Sequence, residues 1–219
     1  MFELNTMQTV AVWALPVLLA ITLHEAAHGW MASKLGDQTA RMLGRVTLNP
    51  LKHIDPIGTV LVPTALLLLG GFVFGWAKAV PVSQRNFRQP QTDMAWVAIA
   101  GPAANLLMAL GWLGLIKVAM IMGATFDSGG TSSAQFLLYA GVAGVTINLL
   151  LMLLNLLPLP PLDGSRVLAA FLPKKWAWHY ERVAPYGLFI LLGLLLLGIL
   201  GPLITGPFLW LRQALFAWL

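Results

Sequence analysis

The chain has 219 residues, of which 58% are hydrophobic and 10% charged, far from the roughly one-quarter charged composition of soluble domains. Its formal charge of +5 lies mostly in short segments between apolar runs, where lipid head groups rather than nucleic acid are the expected neighbours. There is no cysteine, which excludes disulfides, thiolate metal sites and thiol nucleophiles and leaves His, Asp and Glu to hold any metal.

The first apolar run, Met7 to Met31, is long enough to cross a hydrocarbon core about 30 Å thick and ends at Lys34 and Gly36. It superficially resembles a signal peptide, but it lacks a basic leading segment and a small-residue cleavage site, so it is expected to be retained. The chain then turns polar up to Asp55, with the β-leaning Arg45-Val46-Thr47-Leu48 between Gly44 and Asn49-Pro50, which predicts a short strand or hairpin. Ile57 to Trp76 is apolar but broken by Pro63 and Gly70-Gly71, and it leads into the extended-looking Ala79-Val80-Pro81-Val82. It is expected to re-enter rather than cross. Further runs cover Met94 to Met122, Ala134 to Leu157 and Val183 to Leu200, and the tail from Phe208 to Leu219 is too short to span. Its Trp210, Arg212 and Trp218 suit an interfacial amphipathic helix. The expected fold is an all-α polytopic membrane protein of about five membrane-embedded helical segments, one of them re-entrant, with short β elements near the cytoplasmic face. No second domain or internal repeat is visible, so residues 1–219 form one domain, with a core over 10–175 and C-terminal helices over 183–219.

Basic loops stay in the cytoplasm. Lys34, Arg41, Arg45 and Lys52 mark one such loop, Lys78, Arg85 and Arg88 a second, and Arg166, Lys174, Lys175 and Arg182 a third, whereas Gly123 to Ser133 carries no Lys or Arg. The amino terminus and the neutral loop are therefore expected outside, in a multi-pass protein of the cytoplasmic membrane. Lys117, near the outer end of its span, is expected to snorkel to the interface.

His24-Glu25-Ala26-Ala27-His28 is the informative pentapeptide. Residues four apart share a helix face, so both imidazoles can reach one ion, while Glu25 is offset toward a metal-bound water as a general base. Ionised residues within an apolar span are costly, at about 2.5–3.5 kcal/mol each near the centre, and usually mark function. A catalytic zinc site needs a third protein ligand and an open position. By elimination this is Asp163, which follows the fourth long run through Leu159-Pro160-Pro161-Leu162 at the same inner depth. Glu3 and Asp127 fall on the outer side. Asp55, near His53, is the rival ligand, in a loop of ordinary polar composition. Two neutral imidazoles, one carboxylate and a hydroxide around one Zn2+ ion come close to neutrality, which makes the site cheaper to bury. His53 and His179 read as interfacial residues. Asn105, Asn148 and Asn155 lie in apolar runs where an unpaired amide is costly. They read either as interhelical hydrogen-bonding groups or, for Asn155, as a contact to substrate backbone.

Three segments in this order resemble the site-2 protease family of intramembrane zinc metalloproteases: His24 to His28, Gly101-Pro102-Ala103-Ala104-Asn105, and Asn155-Leu156-Leu157-Pro158-Leu159-Pro160-Pro161-Leu162-Asp163-Gly164. Gly44 to Pro50 together with Gly75-Trp76-Ala77-Lys78 is similar to the compact prokaryotic branch without PDZ or CBS domains. Ser165 departs from the family pattern, where a second Gly is usual. The resemblance implies that His24, His28 and Asp163 bind zinc, that Glu25 is the catalytic acid/base, and that Asn155 and Asn105 bind substrate. It implies hydrolysis of peptide bonds in or near transmembrane segments of membrane-protein substrates, with the active site toward the cytoplasmic side. The extended stretches near Thr47 and Val80 are expected to hold an unwound substrate by strand addition. A transporter or zinc-storing protein could use the same ligands, but it has no need of Glu25 and would continue polar residues through the outer half of the bundle.

Overall fold

Helix signals in the sequence carry through to a computed structural model, which describes residues 4–62, 65, 75–126 and 132–219. The α-helices in chain order are α1 (Thr6–Lys34), α2 (Thr39–Met42), α3 (Pro90–Ile121), α4 (Ser133–Leu156), α5 (Asp163–Phe171), α6 (Lys174–Glu181), α7 (Gly187–Leu196) and α8 (Leu200–Phe216). A capping box starts α1: the Asn5 side chain accepts from Gln8 N–H, and the Gln8 side chain accepts from Asn5 N–H, both at 2.9 Å. The helix ends before Gly36, whose φ of 116° and close approach to Asn86 O, 2.9 Å from where a Cβ would sit, leave no room for another residue. Pro90 opens α3, where a missing N–H costs nothing, and the Ser132 hydroxyl caps α4 through Gln135 N–H.

The core is the bundle of α1, α3 and α4, with α3 against α4 the most extensive contact. Glycine makes that contact close. A Cβ on Gly144 would lie 2.2 Å from the Trp112 ring and one on Gly141 2.5 Å from Ile116, the small-residue packing of helices in lipid. Polarity is inverted relative to a soluble domain: Val10, Leu15, Leu107 and Leu110 are exposed, while Thr22, His24, His28, Asn105, Gln135 and Asn148 are buried. Among the described residues, α1, α3 and α4 are long and apolar enough to cross a membrane, or four spans if the bent segment Lys174–Leu196 with Leu200–Phe216 counts as one. The expected count of about five embedded segments is not confirmed by these spans, and the re-entrant one of the five falls mostly outside the described residues.

Other expectations meet the structure in different ways. Within the run Val183 to Leu200 the helix is confined to α7 (Gly187–Leu196) after a 3-10 turn at Ala184–Tyr186, and at the end of the run the chain bends by 80° into α8 beside Gly198, whose φ is 70°. Pro202 sits in the first turn of α8 and Pro207 within it, so neither ends the helix. The tail is accordingly the second half of α8: Phe208, Leu211, Leu215 and Phe216 pack against the α3–α4 core, while Trp210, Arg212 and Trp218 are exposed. Lys117 donates to Trp218 O at 3.2 Å. No strand occurs among the described residues. Arg45–Leu48 and Ala79–Val82 approach each other, but through an Arg45 guanidinium bond to Lys78 O (2.8 Å) rather than through a ladder. Pro56–Leu61 is a single π-helical turn capped by Asp55. Most of the stretch expected to re-enter, residues 63–64 and 66–74, lies outside the described residues.

Asp37 ties the basic end together, accepting from Thr39 Oγ1 (2.5 Å), Ser83 N–H (2.7 Å) and Asn86 Nδ2 (2.8 Å). Burial raises its pKa, but the bonds from Thr39, Asn86 and Ser83 outweigh burial and hold the carboxyl below its ordinary 3.8. A depressed folded-state pKa stabilises at pH values above the ordinary carboxylate range, and that contribution is lost as pH falls below it. Thermal unfolding in detergent across acidic pH should show this loss in wild type and not in Asp37→Ala. At neutral pH, Asp37→Ala should be less stable by about 1–3 kcal/mol, because Ser83 and Asn86 lose their acceptor.

Candidate metal centre

One turn apart on α1, His24 and His28 place their Nε2 atoms 3.0 Å from each other, and Asp163 Oδ2 lies 3.2 Å from both. All three residues are buried. Ligands about 2.0–2.1 Å from a tetrahedral zinc stand roughly 3.3 Å apart, so this triangle has the right size for one ion with a further position open.

Hydrogen bonds behind the imidazoles determine which nitrogens carry protons. His28 Nδ1 lies 2.7 Å from Val97 O, which can only accept, so Nδ1 is protonated. His24 Nδ1 lies 2.6 Å from Asn105 Oδ1. The Asn105 amide is oriented by donating from Nδ2 to Asn148 Oδ1 (2.9 Å) and Ala20 O (3.3 Å). In neutral rings both Nε2 atoms therefore present lone pairs. They face Asp163 Oδ2, a buried acceptor with no hydrogen-bond donor. With both rings neutral, three acceptors converge with no proton between them, which is costly without a cation, and two imidazoles with one carboxylate are a donor set suited to zinc.

The flanking sequence explains how the groups meet. A Cβ on Gly101 would lie 2.4 Å from His28 Nε2 and 2.6 Å from His24 Cε1, so glycine is what lets α3 approach the imidazoles. Asp163 begins α5. The next residue, Gly164, sits where a Cβ would be 2.2 Å from Leu156 O, tucking the start of α5 under the end of α4. The Tyr180 hydroxyl donates to Pro158 O at 2.6 Å, and Gly187 abuts Pro160 O, so the C-terminal segment braces the connection that carries Asp163. The Ser165 hydroxyl donates to Leu162 O at 2.6 Å, accommodating the departure at this position within the turn.

Glu25 is half-buried beside the cluster, and its Oε2 accepts from Val80 N–H at 2.9 Å. Asn155 is half-buried, with Nδ2 donating to Leu151 O at 2.9 Å. Asn105, expected to bind substrate, is instead fully buried behind His24 with both amide atoms engaged. Asp55 caps a turn through Ile57 N–H and Gly58 N–H, away from the imidazoles. His53, expected at the interface, is 2% exposed and donates from Nε2 to Thr47 O at 3.1 Å. The sequence did not reveal Asn148 as the partner of Asn105 or Val97 O as the anchor of His28. An asparagine in an apolar run signals a buried hydrogen bond but not its partner, and a backbone carbonyl leaves no residue-level mark.

A His-Glu-x-x-His helix and a distant aspartate, meeting inside a bundle of apolar helices, define a metallopeptidase built for the membrane. The model of peptidase family M50 matches residues 12–198. A Bacillus subtilis protein bearing the name zinc metalloprotease YwhC is 39% identical over 180 residues, covering 80% of this chain and 76% of that one. Proteins named zinc metalloprotease Rip2 are 32% identical in Mycolicibacterium smegmatis (82% of this chain, 64% of the relative) and 30% identical in Mycobacterium tuberculosis (87% and 67%). No solved structure matches the chain. The chain belongs to peptidase family M50, the site-2 protease family, and is a zinc metalloprotease.

Gly101→Ala should displace the imidazoles while leaving α3 helical. Zinc affinity, measured by chelator competition, is expected to fall about 10–100-fold, the range for perturbing the surroundings of a ligand.

Proposed function

We propose that this protein is an intramembrane endopeptidase, which cuts membrane-protein substrates within or close to a transmembrane helix. The observation that carries the reading is the burial of His24, His28 and Asp163 together among helices whose outward faces are apolar, which is where a substrate helix arrives through lipid. His24, His28 and Asp163 would hold the zinc, which when bound supplies Lewis-acid polarisation of a peptide carbonyl and a water of lowered pKa. Glu25 takes the proton from the attacking water and delivers it to the leaving amine. Val80 N–H holds one Glu25 oxygen, fixing the side chain while the other oxygen handles the proton. Asn155, half-buried at the end of α4, contacts the substrate backbone. The substrate must unwind locally, since helical carbonyls are already hydrogen-bonded, and the non-helical backbone around Thr47 and along Ala79–Val82 is where it would be received by strand addition. The concentration of basic residues at the end of the bundle bearing Asp163 supports a cytoplasmic-side site in the cytoplasmic membrane.

Glu25→Gln should retain zinc and lower cleavage of a membrane-spanning test substrate by about 10²–10⁴-fold. Unchanged cleavage by this variant, followed as product on gels from proteoliposomes, rules out Glu25 as the base.

A further inference from the structure

We infer that Asn148, on α4 and remote from the ligand atoms, is a positioning residue that locks the proton arrangement of His24 by preventing the Asn105 amide from turning over. The inference rests on His24 being a zinc ligand. Asn148 Nδ2 donates to Gly144 O at 2.8 Å, a backbone carbonyl that can only accept, so the orientation of the Asn148 amide is determined by the α4 backbone. Its Oδ1 therefore points to Asn105 and accepts from Asn105 Nδ2 at 2.9 Å. That in turn points Asn105 Oδ1 at His24 Nδ1, 2.6 Å away. Each amide has one donor end and one acceptor end, so the polarity set at Gly144 passes through two side chains and ends with the proton on Nδ1 and the lone pair on Nε2, where zinc binds. Both asparagines are fully buried, at 0% exposure, and no water is needed to complete the chain.

Without Asn148, Asn105 keeps only the longer bond to Ala20 O (3.3 Å) to resist a half-turn about its amide. A turned amide presents N–H to His24 Nδ1, which favours the other tautomer, with its proton on the nitrogen that zinc requires bare. Asn148→Leu keeps the branching and the number of side-chain heavy atoms, though it is bulkier, and removes both ends of the amide. Asn148→Asp, kept protonated by its apolar surroundings, preserves an acceptor for Asn105 and a hydroxyl donor for Gly144 O and serves as the rescue.

The experiment measures zinc affinity by chelator competition on full-length protein in detergent. It is paired with ring-nitrogen NMR of the zinc-free protein labelled at its four histidines, and apo-protein melting serves as a folding control. Asn148→Leu is expected to bind zinc about tenfold more weakly and to show a mixed His24 tautomer, with Asn148→Asp close to wild type in both. Wild-type affinity and tautomer in Asn148→Leu overturns the inference. So does equal loss of zinc in both variants in proportion to lowered melting temperature, which identifies Asn148 as purely structural. His24→Ala separates the two levels: if it binds zinc as wild type does, the ligand assignment itself fails. If it loses zinc while Asn148→Leu does not, only the lock fails.

Discussion

Three proton acceptors, two imidazole nitrogens and a carboxylate oxygen, are driven into one buried spot with nothing among them to donate. While both rings are neutral, their mutual repulsion is relieved by a cation at the centre, which couples ion binding to the packing of the helices. Everything nearby serves to hold the acceptors in place. Val97 O and Asn105 Oδ1 take the outward protons of the rings, Gly101 removes the side chain that would separate them, and Gly164 lets Asp163 arrive from the far end of α4. Because a helix spacing of four supplies only two ligands, the third comes from a chain reversal, which is braced by the Tyr180 hydroxyl on Pro158 O and the Ser165 hydroxyl on Leu162 O.

Lipid changes how such a site can be supported. Apolar contact gives helices in a bilayer little reason to prefer one another over lipid tails, so close approach and buried hydrogen bonds carry the association. Gly141 and Gly144 bring α4 onto Trp112 and Ile116, and the Asn105–Asn148 pair joins α3 to α4 at 2.9 Å. The same asparagine reaches α1 through His24 and Ala20 O. One polar network thus fastens the three core helices and orients a ligand.

The parts legible in the sequence were those with a fixed local period or a strong local cost. Apolar runs of spanning length located α1, α3 and α4, and the spacing of His24, Glu25 and His28 defined a helical face. Asp163 was reached because few carboxylates lie at the right depth, an argument from scarcity that needed no structure. What failed to show depended on partners distant in the chain. A β-leaning stretch such as Arg45–Leu48 becomes a strand only if another strand pairs with it, and here a guanidinium takes the neighbouring carbonyl instead. Leucine-rich composition over Val183 to Leu200 shows an apolar run, but not that the chain bends at Gly198, at positive φ, and resumes as α8 at once. Asn105 was recognisable as a residue needing a partner, but substrate and His24 satisfy that need equally well on paper.

Glu25 introduces a different kind of constraint, because its anchor is not part of the helical core. The imidazoles are held by α3 and the aspartate by the α4–α5 connection, all within or against the bundle, whereas the glutamate is held by Val80 N–H from an extended segment between helices. That segment also meets Arg45 through Lys78 O, and Lys78 N–H is bound to His53 O. The proposed base therefore shares its positioning with the irregular backbone at the basic end, while the hydrogen bonds on the imidazoles come from α3. In the proposed mechanism, a displacement of Ala79–Val82 acts on the Glu25 carboxylate through Val80 N–H, whereas the imidazoles are oriented by Val97 O and Asn105 Oδ1 of α3.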